Sequence, residues 1–330
     1  MILLLLLSQA AFGDVPSLFG ADDIIEIELI GPLSSVLDDK ARREERSFIL
    51  RTGGLEQSLD VRTRGKSRST LCSFPPLRLN FSNSMATASV FAGQQKLKLV
   101  THCQNQAAAQ TNLLQEYAAY KIFNLLSDVS FRVRLLRITY SDTDDELPKS
   151  AADQYGFVIE SAADLAERVG GDVVQETGVV LSSLDAQQAA TVFIFQYLIG
   201  NTDWSLVMAD EDDTCCHNGD LFDIDGVRYY VPYDFDMSGL VNASYARPDP
   251  SLRITRVTQR LYRGYCISTD ALRDALSNVR AQRGGIMTVV RSLPELSQKE
   301  VDSTSSYLDK FFMRADDAEK LLQSFERRCL

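Results

Sequence analysis

Apolar and polar side chains alternate with a period of two between residues 24 and 102. The pattern is visible in IIEIELI (24–30), SFILRT (47–52), SLDVRTRG (58–65), LRLNF (77–81) and KLKLVTH (96–102). Because successive side chains of a β-strand point to opposite faces, each segment is expected to be a strand with one buried face. Together they predict an antiparallel sheet in which Gly93 turns a hairpin between the last two strands.

Helical patterns dominate the rest of the chain. Helices are predicted at about 110–127, 162–170, 184–200 and 269–282, with a long pair from about 296 to 327. Two strands, FRVRLLRITY (131–140) and YGFVIES (155–161), follow the first helix, and two short strand-like pieces fall within 201–240. This order predicts an α+β fold of two lobes: a β-rich N-lobe with one helix over 14–160 and a mainly helical C-lobe over 161–330. A chain of 330 residues is long enough for two lobes that share a cleft.

The composition of the chain argues against two classes of binding partner, nucleic acids and membranes. Thirty-four Lys and Arg against 45 Asp and Glu leave a net charge of −11, which argues against a broad surface for nucleic acid or anionic lipid. After the first residues, no stretch approaches the roughly 18 apolar residues of a membrane span. We therefore expect neither nucleic-acid binding nor a membrane span.

The first 13 residues, MILLLLLSQAAFG, resemble the end of a signal peptide. An apolar run from Ile2 to Leu7 precedes Ala11 and Gly13, which are spaced as a signal peptidase requires, so cleavage is expected before Asp14. The run is short and no basic segment precedes it, which indicates a truncated signal; the alternative is a buried N-terminal strand. A signal predicts a secreted or periplasmic protein.

Six cysteines suit disulfides in an oxidising compartment. No C-x-x-C pair occurs and only two histidines are present, which argues against structural zinc. Cys72 and Cys103 lie just outside two strands that can pair as a hairpin, so we expect them to bond. Cys266 is then expected to bond Cys215 or Cys216, with Cys329 taking the other, since adjacent cysteines do not bond each other easily.

Three loops of the helical half carry the densest polar signal: GNTDWS (200–205), CHN (216–218) and VPYDFDMSG (231–239). Gly200 is expected to end a buried helix with positive φ and to project Asp203 out of the core. Asp234 follows a strand, where a carboxylate can face a cleft. Phosphoryl transfer needs a carboxylate that accepts the proton of the acceptor hydroxyl, and oxygen ligands that hold Mg²⁺. The alternative is that these Asp and Asn residues only cap helices or form turns.

Two charged residues of the N-terminal half complete the pattern. Lys98 lies on a strand between Leu97 and Leu99, where it can contact phosphates. Glu116 shares a helix face with Tyr120 and Phe123, and a buried glutamate needs a cationic partner. We expect Lys98 to be that partner; the alternative is that both residues are exposed.

A lysine on a strand, a glutamate on the next helix, the hinge-like strand GFVIES, and then Asp, Asn and Asp in order resemble atypical kinases. KLKL and the helix QEYAAYKIFN are similar to the CotH-type family of secreted and spore-coat kinases, whereas GNTDWS, CHN and VPYDFD are similar to HipA-type motifs. The resemblance implies a protein-kinase-like fold with ATP between its lobes. It implies that Asp203 is catalytic, that Lys98, Glu116 and Glu160 serve the nucleotide, and that Asn218, Asp234 and Asp236 bind Mg²⁺ or Mn²⁺.

Three features limit the resemblance to kinases: a missing glycine loop, which CotH-type kinases also lack, a lengthened loop, and a second acid, Asp236, so that the metal could bind Asp234 or Asp236. No G-x-G-x-x-G loop precedes Lys98, and the acidic loop ADEDDT (209–214) lengthens the connection from Asp203 to CHN. The function implied is an ATP- and Mg²⁺-dependent phosphotransferase that acts on secreted or periplasmic proteins. The alternatives are an inactive kinase-like binding module, an AMP transferase on the same fold, or a metal-dependent hydrolase. The basic segment VRTRGKSRS (61–69) is expected either to meet phosphates or an acidic substrate, or to be a solvated sheet face.

Overall fold

The computed structural model describes residues 17–81, 89–146, 153–176, 178–206 and 215–330. The predicted signal segment 1–13 and the acidic loop 209–214 lie outside these ranges. No helix within them is long and apolar enough to cross a membrane.

The N-terminal strands form a closed barrel in the order β1-β2-β3-β4-β5-β7-β6. Its strands are β1 Ile25–Gly31, β2 Arg46–Thr52, β3 Leu55–Thr63, β4 Leu77–Phe81, β5 Lys96–Val100, β6 Val133–Asp142 and β7 Asp153–Ile159. The predicted strands are confirmed and their pairing is mainly antiparallel, but the expected open sheet is instead a closed barrel. β1 pairs with β6 in parallel, from Ile25 opposite Leu136 to Gly31 opposite Asp142. This pairing joins the two edges of the sheet, and closure removes exposed edge strands.

The period of two sorts the side chains of the barrel. Alternate apolar residues, among them Leu50, Val61, Leu79, Leu97 and Ile138, fill the interior. The polar residues between them lie on the outer face. Short helices α1 Leu33–Asp38 and α2 Ser67–Leu71 connect β1 to β2 and β3 to β4.

The remaining helices form a second body around a small sheet. They are α3 Ala107–Asn124, α4 Ala162–Val169, α5 Ala186–Ile199, α6 Thr269–Ala281, α7 Arg283–Arg291, α8 Gln298–Ala315 and α9 Ala318–Glu326. The sheet has the order β10-β9-β8, with β8 Asp172–Val174, β9 Gly219–Ile224 and β10 Val227–Pro232. The predicted helices are confirmed to within a few residues; α1, α2, α7 and β8 were not predicted.

Helix α3 belongs to the core of the helical body rather than to the barrel interior. Its Phe123 ring lies 4.7 Å from the ring of Phe195 on α5, and Tyr120 lies 4.6 Å from Phe235. The same Tyr120 also meets β7, where its ring lies 5.6 Å from the ring of Phe157. Glu116 on α3 is therefore held at the junction of the two bodies.

Three disulfides cross-link the chain. The predicted bond between Cys72 and Cys103 is confirmed. The other expected pairing is wrong, because Cys266 bonds Cys329 and Cys215 bonds Cys216. Two backbone hydrogen bonds bring the last residues to Cys266: Cys266 N donates to Leu330 O (3.2 Å), and Leu330 N donates to Gly264 O (3.1 Å). Cys329 therefore lies beside Cys266, and Cys215 and Cys216 bond each other. Three disulfides are compatible with an extracellular location.

Candidate functional site

The turn after α5 presents Asp203. Gly200 ends α5 with a φ of 66°, as predicted, and a Cβ there would collide with the hydroxyl of Tyr307. Asn201 then accepts a hydrogen bond from the backbone N–H of Asp203 through its side-chain oxygen (3.0 Å). This local geometry turns the Asp203 carboxylate toward the loop that carries His217 and Asn218.

The structure brings Asp203 and Asn218 together, although separate loops carry them. Asn218 Nδ2 donates to Asp203 Oδ2 (3.0 Å) and to the backbone oxygen of Asp203 (2.7 Å). His217 Nε2 lies 3.0 Å from Asp203 Oδ1. Both carboxylate oxygens of Asp203 are thus oriented by neighbours, which is what a positioned proton acceptor requires.

Arg68 on α2 is the centre of a buried carboxylate cluster. Its Nη1 and Nη2 donate to the two oxygens of Glu116 (3.2 and 2.9 Å), and its Nε lies 2.9 Å from Asp236 Oδ2. Nη2 also pairs with Asp234 Oδ1. The segment VRTRGKSRS (61–69) was expected either to meet phosphates or an acidic substrate, or to be a solvated sheet face. Contacts of Arg68 with Glu116, Asp234 and Asp236 were not predicted.

The prediction that Lys98 is the partner of Glu116 is therefore wrong. The planar guanidinium of Arg68 forms two parallel hydrogen bonds with the carboxylate, an arrangement that a lysine ammonium cannot reproduce. Arg68 reaches Glu116 because Cys72, which ends α2, is bonded to Cys103 just after β5. The disulfide holds α2 against the junction where α3 begins.

The cluster carries more negative than positive charge. Three carboxylates face one guanidinium, which leaves two negative charges in excess when all are ionised. Burial raises the pKa of Glu116 to about 7 and that of Asp236 to about 6. The site therefore favours the uptake of protons or of a further cation.

Asp234 and Asp236 differ in what they can reach. The Asp234 side chain is 42 % exposed, and its backbone N–H donates to the hydroxyl of Tyr120 (2.9 Å). The Asp236 side chain is 7 % exposed and accepts a hydrogen bond from the hydroxyl of Tyr245 (2.8 Å). Of the two, Asp234 is the carboxylate that a ligand in the cleft can contact.

Lys98 faces the same cleft from β5. It lines a cavity of about 40 Å³ together with Arg64, Glu116, Tyr120 and Asp234. Its Nζ lies 4.7 Å from the centre of the Tyr233 ring. Burial lowers the pKa of Lys98, and Asp220 and Asp234 oppose this effect.

Glu160 lies apart from the Arg68 cluster, at the end of β7. Its two oxygens accept hydrogen bonds from Nε and Nη2 of Arg168 (both 2.8 Å), and the backbone N–H of Arg132 donates to Oε2 (3.0 Å). These bonds satisfy a buried carboxylate internally. The expected contact of Glu160 with a nucleotide stays a prediction.

The donor set near Asp234 fits a hard divalent cation. Mg²⁺ is usually held by one or two carboxylates together with substrate phosphates, so a cage of protein ligands is not needed. Within the described ranges, no group of three His, Cys, Asp or Glu residues forms such a cage. Asp234 is accessible, and the residue before it, Tyr233, donates its backbone N–H to the backbone oxygen of Asn218 (3.0 Å).

The chain was compared with protein-family models, with curated proteins and with solved structures. No protein-family model matches the chain, and no curated protein matches it. Among solved structures, it is similar to the crystal structure of a Helicobacter pylori proinflammatory kinase CtkA, with a TM-score of 0.41 and 12 % sequence identity. The match covers 76 % of this chain and 94 % of that chain. The similarity assigns no activity to this protein.

Arg68 is the main residue that sequence reasoning missed. The signal for it was the predicted bond between Cys72 and Cys103, because Cys72 lies four residues after Arg68. One helical turn separates the two positions, so a staple at Cys72 also places Arg68 near the end of β5. Tyr120 and Tyr245, which bond the two aspartates, had no comparable signal.

Proposed function

We propose that this protein is an ATP- and Mg²⁺-dependent phosphotransferase whose acceptor is a hydroxyl group of a secreted or periplasmic protein. One observation carries the proposal: the accessible carboxylate of Asp234, from a cluster with excess negative charge, lines the same cavity as Lys98 and Arg64. A metal–nucleotide complex needs these opposite charges side by side.

The residues then divide the work. Lys98 binds phosphate oxygens, and Asp234 with Asn218 would hold the metal, which when bound neutralises charge on the phosphates. The acceptor oxygen attacks the γ-phosphorus, and the bond to the bridging oxygen of ADP breaks. Asp203, oriented by Asn218 and His217, takes the acceptor proton. Arg68 positions Asp234 without contacting the reacting atoms.

A second candidate is a kinase-like binding module without catalysis. It is favoured by the direct pair between Arg68 and Asp234, because an arginine then supplies positive charge where a metal ion would otherwise do so. Such a module would bind nucleotide in the cleft and leave it intact.

Labelled ATP separates the candidates. The full chain is incubated with Mg²⁺, a mixture of exported proteins, and ATP labelled at the α- or the γ-phosphate. Transfer of the γ-label supports the proposal, transfer of the α-label indicates an AMP transferase, and a nucleotide-dependent thermal shift without transfer indicates the binding module. No transfer and no thermal shift would overturn all three. Asp225→Asn, in the exposed turn between β9 and β10, is the control for Asp203→Asn.

A further inference from the structure

Cationic side chains lie side by side across three strands of the barrel. Arg62 on β3 is directly opposite Arg78 on β4, and Arg78 is directly opposite Lys98 on β5. All three alternate with buried residues, so they share the outer face. Like charges directly opposite each other destabilise a sheet. We call Arg62, Arg78, Lys98 and the adjacent Arg64 the basic row.

Among the described residues, one member of the basic row has a carboxylate partner. Arg62 Nε lies 3.6 Å from Glu45 Oε1. Across the ranges that the structure describes, neither Arg64, Arg78 nor Lys98 has a carboxylate oxygen within 4.0 Å. The Nε atom of Arg78 is buried and has no hydrogen-bond partner among the described residues. A buried donor left in this state costs about 1–3 kcal/mol, so a ligand that accepts from it is favoured.

Electrostatics support the same conclusion. Burial lowers the pKa of Arg64, Arg78 and Lys98, and each is lowered further by neighbouring cations. Asp220 raises the pKa of Lys98, and Asp234 raises those of Lys98 and Arg64, but neither lies within ion-pair distance. The row thus keeps uncompensated positive charge in a partly dehydrated place, where an anion is bound strongly.

The arrangement suits a linear chain of phosphates. Neighbouring strands are about 4.8 Å apart, so cations on β4 and β5 meet successive charged groups of a ligand that crosses the strands. One guanidinium group can donate two hydrogen bonds to the oxygens of one phosphate. A ligand with several phosphates can therefore neutralise several cations of the row, whereas a single carboxylate neutralises one. Arg64 and Lys98 also line the cavity that Asp234 lines.

We propose that Arg64, Arg78 and Lys98 form a polyphosphate-binding site that works without a divalent cation. The inference rests on the proposed function in one respect, which is that the natural ligand is a nucleotide. Phosphate binding by the basic row then precedes the metal and positions the chain of phosphates beside Asp234.

Calorimetry with inorganic tripolyphosphate in EDTA tests this site on the full chain. We expect binding that weakens as salt rises, and a roughly tenfold or greater loss of affinity for Arg78→Gln and Arg64→Gln, since each removes a charge-assisted hydrogen bond. Arg51→Gln, on the barrel strand β2 and paired with Glu56 and Glu28, is the matched control and should change affinity less than twofold. Arg78→Lys keeps the charge and should recover part of the affinity if Arg78→Gln lowers stability.

The outcomes separate this inference from the proposed function. Tripolyphosphate binding that depends on Arg78, without label transfer from ATP, supports the site and contradicts the phosphotransferase. Label transfer from ATP without tripolyphosphate binding in EDTA overturns the site and leaves the phosphotransferase standing. Equal binding by wild type, Arg78→Gln and Arg64→Gln also overturns the site.

Discussion

At the scale of single residues, Arg68 decides how the acidic groups are arranged. Glu116, Asp234 and Asp236 come from α3 and from the loop after β10, and one guanidinium contacts all three. A buried charge that loses its partner is expensive. The position of Asp234 in the cleft therefore depends on a residue that itself does no chemistry.

Arg68→Leu is expected to lower the free energy of unfolding by about 3–5 kcal/mol, because three carboxylates lose the guanidinium that contacts all of them. Urea denaturation measures the change. Arg51→Leu removes an arginine from half-exposed ion pairs and should cost less than about 1 kcal/mol. A loss below about 1 kcal/mol for Arg68→Leu would mean that the cluster is neutralised by other means.

The three aspartates are expected to fail differently. Asp203→Asn should keep Mg²⁺·ATP binding and reduce turnover by about 10²–10⁴, the usual contribution of a general base. Asp234→Asn should abolish the Mg²⁺ dependence of nucleotide binding, since it removes a charged oxygen ligand. Asp236→Asn should keep that dependence, because Arg68 and Tyr245 already occupy the carboxylate. If only Asp236→Asn removes it, the assignment of the metal ligand is wrong by two residues.

At the scale of elements, the short helix α2 is held in place by a covalent bond. It spans Ser67–Leu71, and so short a helix is not stable alone. The Cys72–Cys103 disulfide and a hydrogen bond from Phe74 N to Cys103 O (2.9 Å) connect it to the end of β5. The contacts of Arg68 therefore depend on this attachment.

Replacing both Cys72 and Cys103 by Ser is expected to cost about 2–4 kcal/mol of stability. Because α2 is then released, amide exchange of residues 67–72 should become faster and nucleotide affinity should change as well. Mass spectrometry of exchanged peptides measures the first effect. The control replaces Cys266 and Cys329, which join the C-terminus to the segment after β10; it should lower stability without changing nucleotide affinity. Equal effects of the two pairs on nucleotide affinity would contradict the role of α2.

At the scale of the whole molecule, the excess negative charge at the junction links stability to pH and to cations. The folded-state pKa values of Glu116 and Asp236 are raised above their ordinary values by burial. A raised carboxyl pKa means that the folded state binds protons more tightly than the unfolded state. The stability that these two carboxyl groups contribute is therefore present at low pH and is lost as the pH rises to about 6–7.

Glu116→Gln is therefore expected to reduce the fall in unfolding free energy between about pH 4.5 and pH 7. Urea denaturation across this range, compared with the exposed control Glu319→Gln, measures the difference. Mg²⁺ should raise the melting temperature more at pH 8 than at pH 5, because protons compete with it for the same charge. An identical Mg²⁺ shift at both values would show that the cation does not bind this cluster.

Sequence patterns were sufficient where the determinants are local. Strands with a period of two and helices at about 162–170 and 269–282 were predictable because propensity and burial act over a few residues. The end of α5 at Gly200 followed from the need for positive φ. The closeness of Asp203 and Asn218 depends on how two loops meet, which local patterns do not determine.

The sequence by itself determined which segments are strands or helices, where polar loops follow them, and that Cys72 could reach Cys103. Only the tertiary structure decided that β1 meets β6 in parallel, that Cys266 bonds Cys329, and that Arg68 rather than Lys98 pairs with Glu116. The first set depends on side chains close together in the chain. The second depends on distances between residues far apart in sequence, which are known only when the barrel and the helical body have packed together.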